Sequence, residues 1–541
     1  MDFTFWGTLA AVVIVLGLIY RYMTRNYFYF ADKPMPFLKP VLGIGNLGPL
    51  LMRKRDIFEH FRWLYECFPN DKIFGMFSMA DPIYMIRDPA MLKRIAVKDF
   101  DHFVDHTGLG GDAEYDNPHM LVLNTLVSLR GNKWRDMRAT LSPAFTGSKM
   151  RQMFTLIAEC GERMADFYRG ECKRDGGSAA EVELKEMFSR FTNDVIATTA
   201  FGIEVDSFRQ PENAIFTLGK AVMQPGGLLN ILKGIGYIFF PKLMVKMNVD
   251  FLSKEHDQFF RQTVLETMRT RQQNNIFRPD MIDLLIQAKK GNLKHSTEKQ
   301  SDTEAFSATE ESQVGRRSHD RTWTDDELIA QALIFFLAGF ETVSMTVSLI
   351  GYEIARNTDV QARLHEEILE TNRALEGKPL SYEILQAMSY MDMVVSETMR
   401  VWPIGGIVDR LCVKDYVYDD GQGCRFTIEK GRTVMASVIG MHHDPKFYPE
   451  PEKFDPEPFS AQNRRDINPD TYLPFGIGPR NCIGSRFALM EMKAVLYYLL
   501  LNFSFEVTEK TQIPLKMAKT PSRIAAEKGI WIALKPRVEV S

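Results

Sequence analysis

Apolar positions along this chain recur mostly at helical spacing and only briefly in strict alternation. The exception comes first: residues 3–20 are eighteen positions without a charge. As a helix that run is about 27 Å long, close to the hydrocarbon thickness of a bilayer. Asp2 precedes it, and Arg21 and Arg25 follow, the reverse of the charge order of a cleaved leader. The expectation is a retained single-pass signal anchor over 1–22, with the remainder on the cytosolic face by the positive-inside bias. Pro34, Pro36 and Pro40 predict a stiff, extended hinge over 23–50. From residue 57 the pattern is helical, broken by short β-like runs at 71–77 and 83–86 and by a β-rich end near 529–535. The fold class expected for 51–541 is predominantly α with small β-sheets (α+β). Thr324-Asp325-Asp326-Glu327 is a capping box. It opens a long helix to about Arg356, apolar at Leu328, Ile329, Leu333, Phe336 and Val343. A second helical run, from 485 to about 501, carries Phe487, Met490, Ala494, Leu496, Tyr497 and Leu500.

Composition narrows the picture. The chain has 541 residues, a net charge of −3 and 45% hydrophobic residues, so it can bury a large core and gives no argument for nucleic acid as a partner. Its six cysteines (Cys67, Cys160, Cys172, Cys412, Cys424, Cys482) have no motif spacing, which suits free thiols in a reducing compartment. Residues 291–321 are polar and read as a solvated loop. Residues 226–249 are apolar, with Phe239-Phe240 and the lysines Lys233, Lys242 and Lys246. They read either as a buried connection or as an interfacial patch beside the anchor, its lysine ends snorkelling.

Gly43-Ile44-Gly45-Asn46-Leu47-Gly48 matches a dinucleotide-binding pattern, but it follows a proline-rich entry and Pro49 stands where a phosphate-binding helix should run. A turn is expected there. The long helix contains Ala338-Gly339-Phe340-Glu341-Thr342. An interior Gly costs about 1 kcal/mol relative to Ala, and a Thr can bond back to the carbonyl four residues earlier. The string reads as a local groove carrying an acid and an alcohol, or as a plain packing notch. Glu397 and Arg400 share a helix face at i,i+3. The same spacing recurs at Glu171/Arg174, Glu266/Arg269, Glu353/Arg356 and Glu370/Arg373, expected as surface pairs, whereas Glu397/Arg400 has apolar neighbours and is expected to be buried.

The chain is organised around Phe475-Gly476-Ile477-Gly478-Pro479-Arg480-Asn481-Cys482-Ile483-Gly484. Glycine permits close backbone approach to a flat ligand. A cysteine just before a helix has its thiolate favoured by unpaired N–H groups and the helix dipole, and Arg480 adds a positive charge. That arrangement suits a single axial iron ligand, and zinc would need further Cys or His at short spacing. The string resembles the haem-thiolate loop of the cytochrome P-450 family, with Phe475, Gly476, Gly478, Arg480, Cys482 and Gly484 in place.

The resemblance extends over essentially the whole chain and implies the cytochrome P-450 fold, with 51–541 as the catalytic domain. The implied cofactor is haem b (iron protoporphyrin IX) ligated by Cys482, with Phe475 in the cofactor loop. Trp134, Arg138, Arg410 and Arg480 would hold its propionates. Thr342 and Glu341 would order water and deliver protons, and Glu397 and Arg400 would lock the fold behind the loop. Where the family often adds an arginine to that lock, Pro458 stands here, leaving Arg464 and Arg465 as candidates. The implied reaction is insertion of one oxygen atom from O2 into a lipophilic small molecule (a xenobiotic or an endogenous lipid). The implied redox partner is a flavoprotein NADPH-cytochrome reductase, and the implied location is the endoplasmic reticulum membrane, with a lipid bilayer as the entry route. Members of this kind resemble insect detoxification enzymes. Lys133, Arg135, Arg138 and Arg486 could form a docking face or a solvated basic surface. The substrate pocket is expected from residues 103–126, 336–340 and 404–408 and the loop after Lys519. Two other readings remain: a reductase-independent isomerase or peroxygenase, and a non-catalytic haem- or ligand-binding protein.

Overall fold

In the computed structural model, which describes residues 3–108, 117, 119–174, 176–223, 228–250, 252–278, 280–290, 306–307, 322–421, 423–521 and 523–537, helices make most of the structure. Strands β1 (Ile73–Ser78), β2 (Asp81–Ile86), β3 (Ala180–Glu183), β4 (Ile407–Leu411), β5 (Tyr416–Asp419), β6 (Arg425–Ile428), β7 (Thr433–Ser437), β8 (Phe503–Glu506) and β9 (Trp531–Pro536) form three small sheets. Their orders are β1-β2-β7-β4, β3-β9-β8 and β5-β6. The expected predominantly α fold with small sheets is what the structure shows.

The long helix spans Asp325–Arg356, and its Thr324–Glu327 capping box forms in both directions. It packs most extensively on the helix Leu184–Ile196, and most of its length is buried, as its continuous apolar pattern requires. Among the described residues, one other apolar helix is long enough to cross a membrane, Phe3–Thr24, and none of its apolar window is buried. The segment expected as a hinge lies along the sheet: Gly75 N–H donates to Pro36 O (2.9 Å) and Leu38 N–H to Gly75 O (2.9 Å). Gly45, at φ 66°, packs so closely that a Cβ would lie 2.4 Å from Phe77 O. The Gly43–Gly48 string is therefore a turn against β1, as expected.

Two helices face the cysteine loop from behind. Ser389–Val401 carries Glu397 and Arg400, and Ser485–Asn502 begins directly after Gly484. Leu228–Phe239 and Pro241–Lys246 cover the 226–249 stretch from residue 228. Leu229, Leu232, Phe240, Leu243 and Met247 there are each more than half exposed, whereas Tyr237 is buried. Lys242 and Lys246 are exposed, but Lys233 donates to Asp250 O (2.7 Å). Of 291–321, only Phe306 and Ser307 are among the described residues.

Candidate functional site: a thiol beneath the long helix

The cysteine loop takes its shape from its glycines. Gly476 and Gly478 have φ of 76° and 73°, and a Cβ on Gly478 would lie 2.2 Å from Ala96 O. Both positions are thus closed to side-chain-bearing residues. Cys482 N–H donates to Phe475 O (2.9 Å) and Asn481 N–H to Gly478 O (2.9 Å), which fold the loop back on itself. The Cys482 side chain opens into two adjoining cavities of about 330 and 120 Å³ that share Thr342, Val343, Cys482 and Ala488. Burial pushes its thiol up, while the Gly484 N–H and the Arg138 charge act in the opposite direction.

The notch string lies across from the thiol. Thr342 Oγ1 donates to Ala338 O (2.6 Å), the back-bond expected of it, and Thr342, Ala338 and Gly339 line the cavity walls. A Cβ on Gly339 would meet Ile196 Cδ1 at 2.3 Å, so the glycine also serves helix packing. The packing-notch reading holds, and of the groove reading the alcohol holds but the acid does not. Glu341 lies outside both cavities: its Oε2 accepts from Lys185 Nζ (2.9 Å), which also donates to Ser344 Oγ (2.7 Å) and Ser189 Oγ (3.1 Å). Burial lowers the Lys185 ammonium pKa, with Glu341 opposing.

The larger cavity ends in charged groups. Arg410 Nη1 donates to Asp409 O (2.6 Å) and Nη2 to Ile477 O (2.7 Å), and its buried Nε has no hydrogen-bond partner. Burial lowers its pKa to about 10, with Asp409 opposing. Arg480 donates to Val104 O, Leu126 O, Leu129 O and Asp105 Oδ1. Burial and the like charge of Arg410 bring it to about 9, against the pull of Asp105. Trp134 and Arg138 reach the loop by another route than direct lining. The Arg480 guanidinium sits 4.0 Å over the Trp134 ring, a favourable cation–π placement. Arg138 forks onto Asn481 O (2.8 Å) and Asn481 Oδ1 (2.9 Å). Arg138 is therefore buried and is no part of a docking surface. Lys133 and Arg135 pair with Glu327 (2.9 Å) and Asp101 (2.7 Å).

One group at this end comes from the 103–126 stretch expected to line the pocket. His106 lines the larger cavity, with Nδ1 2.9 Å from Asp409 Oδ1, and Thr107 N–H donates to Asp409 Oδ2 (2.7 Å). Burial lowers the His106 pKa, with Asp409 opposing. Its pairing with Asp409 carried no sequence signal, because Leu411 N–H to Asp105 O (2.7 Å) joins segments some three hundred residues apart.

Behind the loop, Arg400 Nε and Nη2 grip Glu397 at 2.7 and 2.9 Å, and both residues are nearly inaccessible. The third partner sought at Pro458 is main chain. Asp455 N–H donates to Glu397 Oε1 (2.9 Å), and Arg400 donates to His442 O (2.9 Å) and Lys453 O (3.2 Å). Arg464 and Arg465 are exposed and take no part. Glu353 corrects the expectation of a surface pair: it is buried, accepts from Trp402 Nε1 (2.9 Å), and has Arg356 at 3.5 Å. The pocket expectation is met at His106, Ala338, Gly339, Ile404, Gly405, Ile407 and Val408, and Pro403 joins them. Phe336 and Phe340 are buried in an aromatic cluster with Phe201, Phe216 and Phe260 instead. The two cavities include no residue of 119–126 or after Lys519, and 109–116 and 118 lie outside the described residues.

Among the described residues no cluster of three His, Cys, Asp or Glu side chains could hold a bare metal ion. A metal bound to this single thiol must therefore bring its other ligands with it. The slot is largely apolar, with Arg410, Arg480, His106 and the Asp409 carboxylate gathered at one end, and the buried Arg410 Nε–H there is unsatisfied. Those features fit a flat, apolar, carboxylate-bearing metal complex, and they define the haem-thiolate class of oxidoreductase.

The comparisons agree over nearly the full length, and the chain belongs to the cytochrome P450 family: a family model described as cytochrome P450 matches residues 35–531. The chain is 42% identical over 545 residues to cytochrome P450 9e2 of Blattella germanica, covering 98% of each protein. It is 40% identical over 536 residues to probable cytochrome P450 9f2 of Drosophila melanogaster, covering 98% of this chain and 99% of that one. To cytochrome P450 6k1 of Blattella germanica it is 34% identical over 537 residues, covering 98% of each. The protein is a monooxygenase whose cofactor is iron protoporphyrin IX with a cysteine thiolate ligand.

Proposed function

We propose that this chain is a membrane-tethered monooxygenase of lipophilic small molecules, xenobiotic or endogenous. Its electrons come from NADPH through a separate flavoprotein reductase. The single observation that carries the reading is the Cys482 thiol at the floor of an apolar slot, with the Thr342 hydroxyl on the facing wall.

Bound haem supplies dioxygen activation, favoured by electron donation from a thiolate ligand. The chain's own residues do the rest. Cys482 gives up its proton on ligation, helped by the Gly484 N–H and the Arg138 charge. Arg410, Arg480 and His106 would hold the carboxylates of the bound haem, and Trp134 and Arg138 brace Arg480 and Asn481 of the cysteine loop. Thr342 keeps its hydroxyl proton on Ala338 O, so its free lone pairs accept from cavity water. When its pair with Lys185 opens, Glu341 would take up a proton from solvent and pass it to that water. Met399, Pro403, Ile404 and Val408 exclude bulk water from the reacting side.

The membrane reading rests on two surfaces. The unburied apolar helix Phe3–Thr24 suits a single-pass anchor in the endoplasmic reticulum, catalytic domain on the cytosolic face. The exposed apolar residues of 228–247 suit a second, interfacial contact through which substrate enters from lipid. Reconstitution in vesicles with reductase and NADPH tests the function: substrate-dependent oxygen uptake and a hydroxylated product are expected. Absence of both with every lipophilic probe overturns the reading. Cys482→Ser should abolish the red-shifted Soret band of the reduced carbon monoxide complex.

A further inference from the structure

Phe306 and Ser307 belong to a stretch polar enough to be read as solvated, yet both are held inside the protein. Phe306 N–H donates to Asp392 Oδ2 (3.0 Å). The Phe306 ring stacks on Tyr472 (centroids 5.6 Å apart, planes at 28°) and meets Phe459 edge-on at 5.6 Å. Ser307 is buried, its Oγ 2.8 Å from Ser396 Oγ and 2.9 Å from the Tyr472 hydroxyl.

The surfaces receiving this pair belong to the haem-binding frame. Asp392 and Ser396 lie on the Glu397/Arg400 helix, and Asp392 Oδ1 is 2.9 Å from the fully buried Lys493 Nζ of the helix after the cysteine loop. Tyr472 stands three residues before Phe475. It also stacks on His442 (5.4 Å, 17°), and its hydroxyl donates to Ser396 O (2.9 Å). His442 Nε2 accepts from Leu473 N–H (2.9 Å). A carboxylate acceptor, a hydroxyl pair and two aromatic rings therefore converge on one aromatic–hydroxyl dipeptide.

We propose that this groove is a docking site for an aromatic–hydroxyl residue pair, and that its occupant is the chain's own Phe306–Ser307. Docking pins the connection between the helix Met281–Lys289 and the long helix to the root of the cysteine loop. The dipeptide itself carries no side-chain charge, whereas Asp302, Glu304, Glu310 and Glu311 flank it in sequence. The occupant steadies Tyr472, and through Tyr472 and His442 the strand of chain that delivers Cys482.

Hydrogen exchange on the full-length holoprotein tests this without any substrate. In Phe306→Ala, amides of 471–475 and 392–397 should exchange roughly fivefold faster or more, as expected for loss of about 1 kcal/mol. Transfer of haem to excess apomyoglobin should quicken as well. Unchanged exchange in those two segments overturns the proposal. Should Phe306→Ala fail to fold, Ser307→Ala and Tyr472→Phe, singly and together, give a milder cycle. Non-additive effects on holoprotein unfolding support docking, and strictly additive effects overturn it.

Discussion

Two ion pairs, one on each side of the haem slot, are built on opposite principles. Glu397 and Arg400 behind the cysteine loop are sealed, with side chains 1% and 4% exposed, and three further bonds tie the pair to main chain. Lys185 and Glu341 beside the notch keep 24% and 32% of their side chains exposed and share their bonds with serine hydroxyls. A sealed pair holds geometry, because removing either partner strands a charge in low dielectric. A pair with alternative hydrogen-bonding partners can open at small cost. The frame behind the iron site is thus fixed, and the wall that handles protons is adjustable.

That contrast can be broken in order of effect. Arg400→Leu leaves Glu397 buried and uncompensated, so a loss of about 3–5 kcal/mol is expected. The check is denaturant unfolding and haem content; a stable holoprotein would place the lock elsewhere. Thr342→Ala should leave folding intact but lower product formed per NADPH consumed by roughly tenfold or more, within the range for positioned proton donors. An unchanged ratio removes Thr342 from proton delivery.

His442 sharpens the comparison through pH. It is fully buried, with Nδ1 placed to donate to Arg400 O (3.1 Å) and Nε2 accepting from Leu473 N–H (2.9 Å). Burial, then the Arg400 charge, lower its pKa to about 3. Between pH about 6.5, the ordinary value, and that folded value, the unfolded chain binds more protons. Stability is therefore lost as pH falls through that window. His442→Gln should flatten the acid limb of a stability–pH curve, although His60 and His365, each lowered to about 4, keep part of it. The smallest effect is expected at Lys185→Met, below about 1 kcal/mol in unfolding. Its signature is a shifted pH profile of oxygen uptake, and a loss as large as that of Arg400→Leu would erase the distinction between the two pairs.

Local signals made much of this legible beforehand. The capping box placed the start of the long helix, and the glycines of the cysteine loop required the backbone angles that are found. What escaped was direction and distance. Glu341 stands beside Thr342 in sequence, yet successive helix positions point about 100° apart, and Lys185 draws its carboxylate out of the slot. Phe336 and Phe340 share a face with each other but not with Thr342. His106 and Asp409 meet only because a loop pairs with the end of β4. The lock is closed by main-chain groups that carry no residue-type signal. Phe306 and Ser307 were hidden by the polarity of their neighbours.

Gly339 and Ile196 carry one more consequence. The isoleucine comes from the adjoining helix, yet its tip fills the space a side chain at 339 would need, and it lines the smaller cavity. The calibre of the chamber above the thiol is thus governed by a residue that stands outside both the cysteine loop and the long helix. Trimming that residue would admit a bulkier guest while leaving the acid–alcohol machinery untouched.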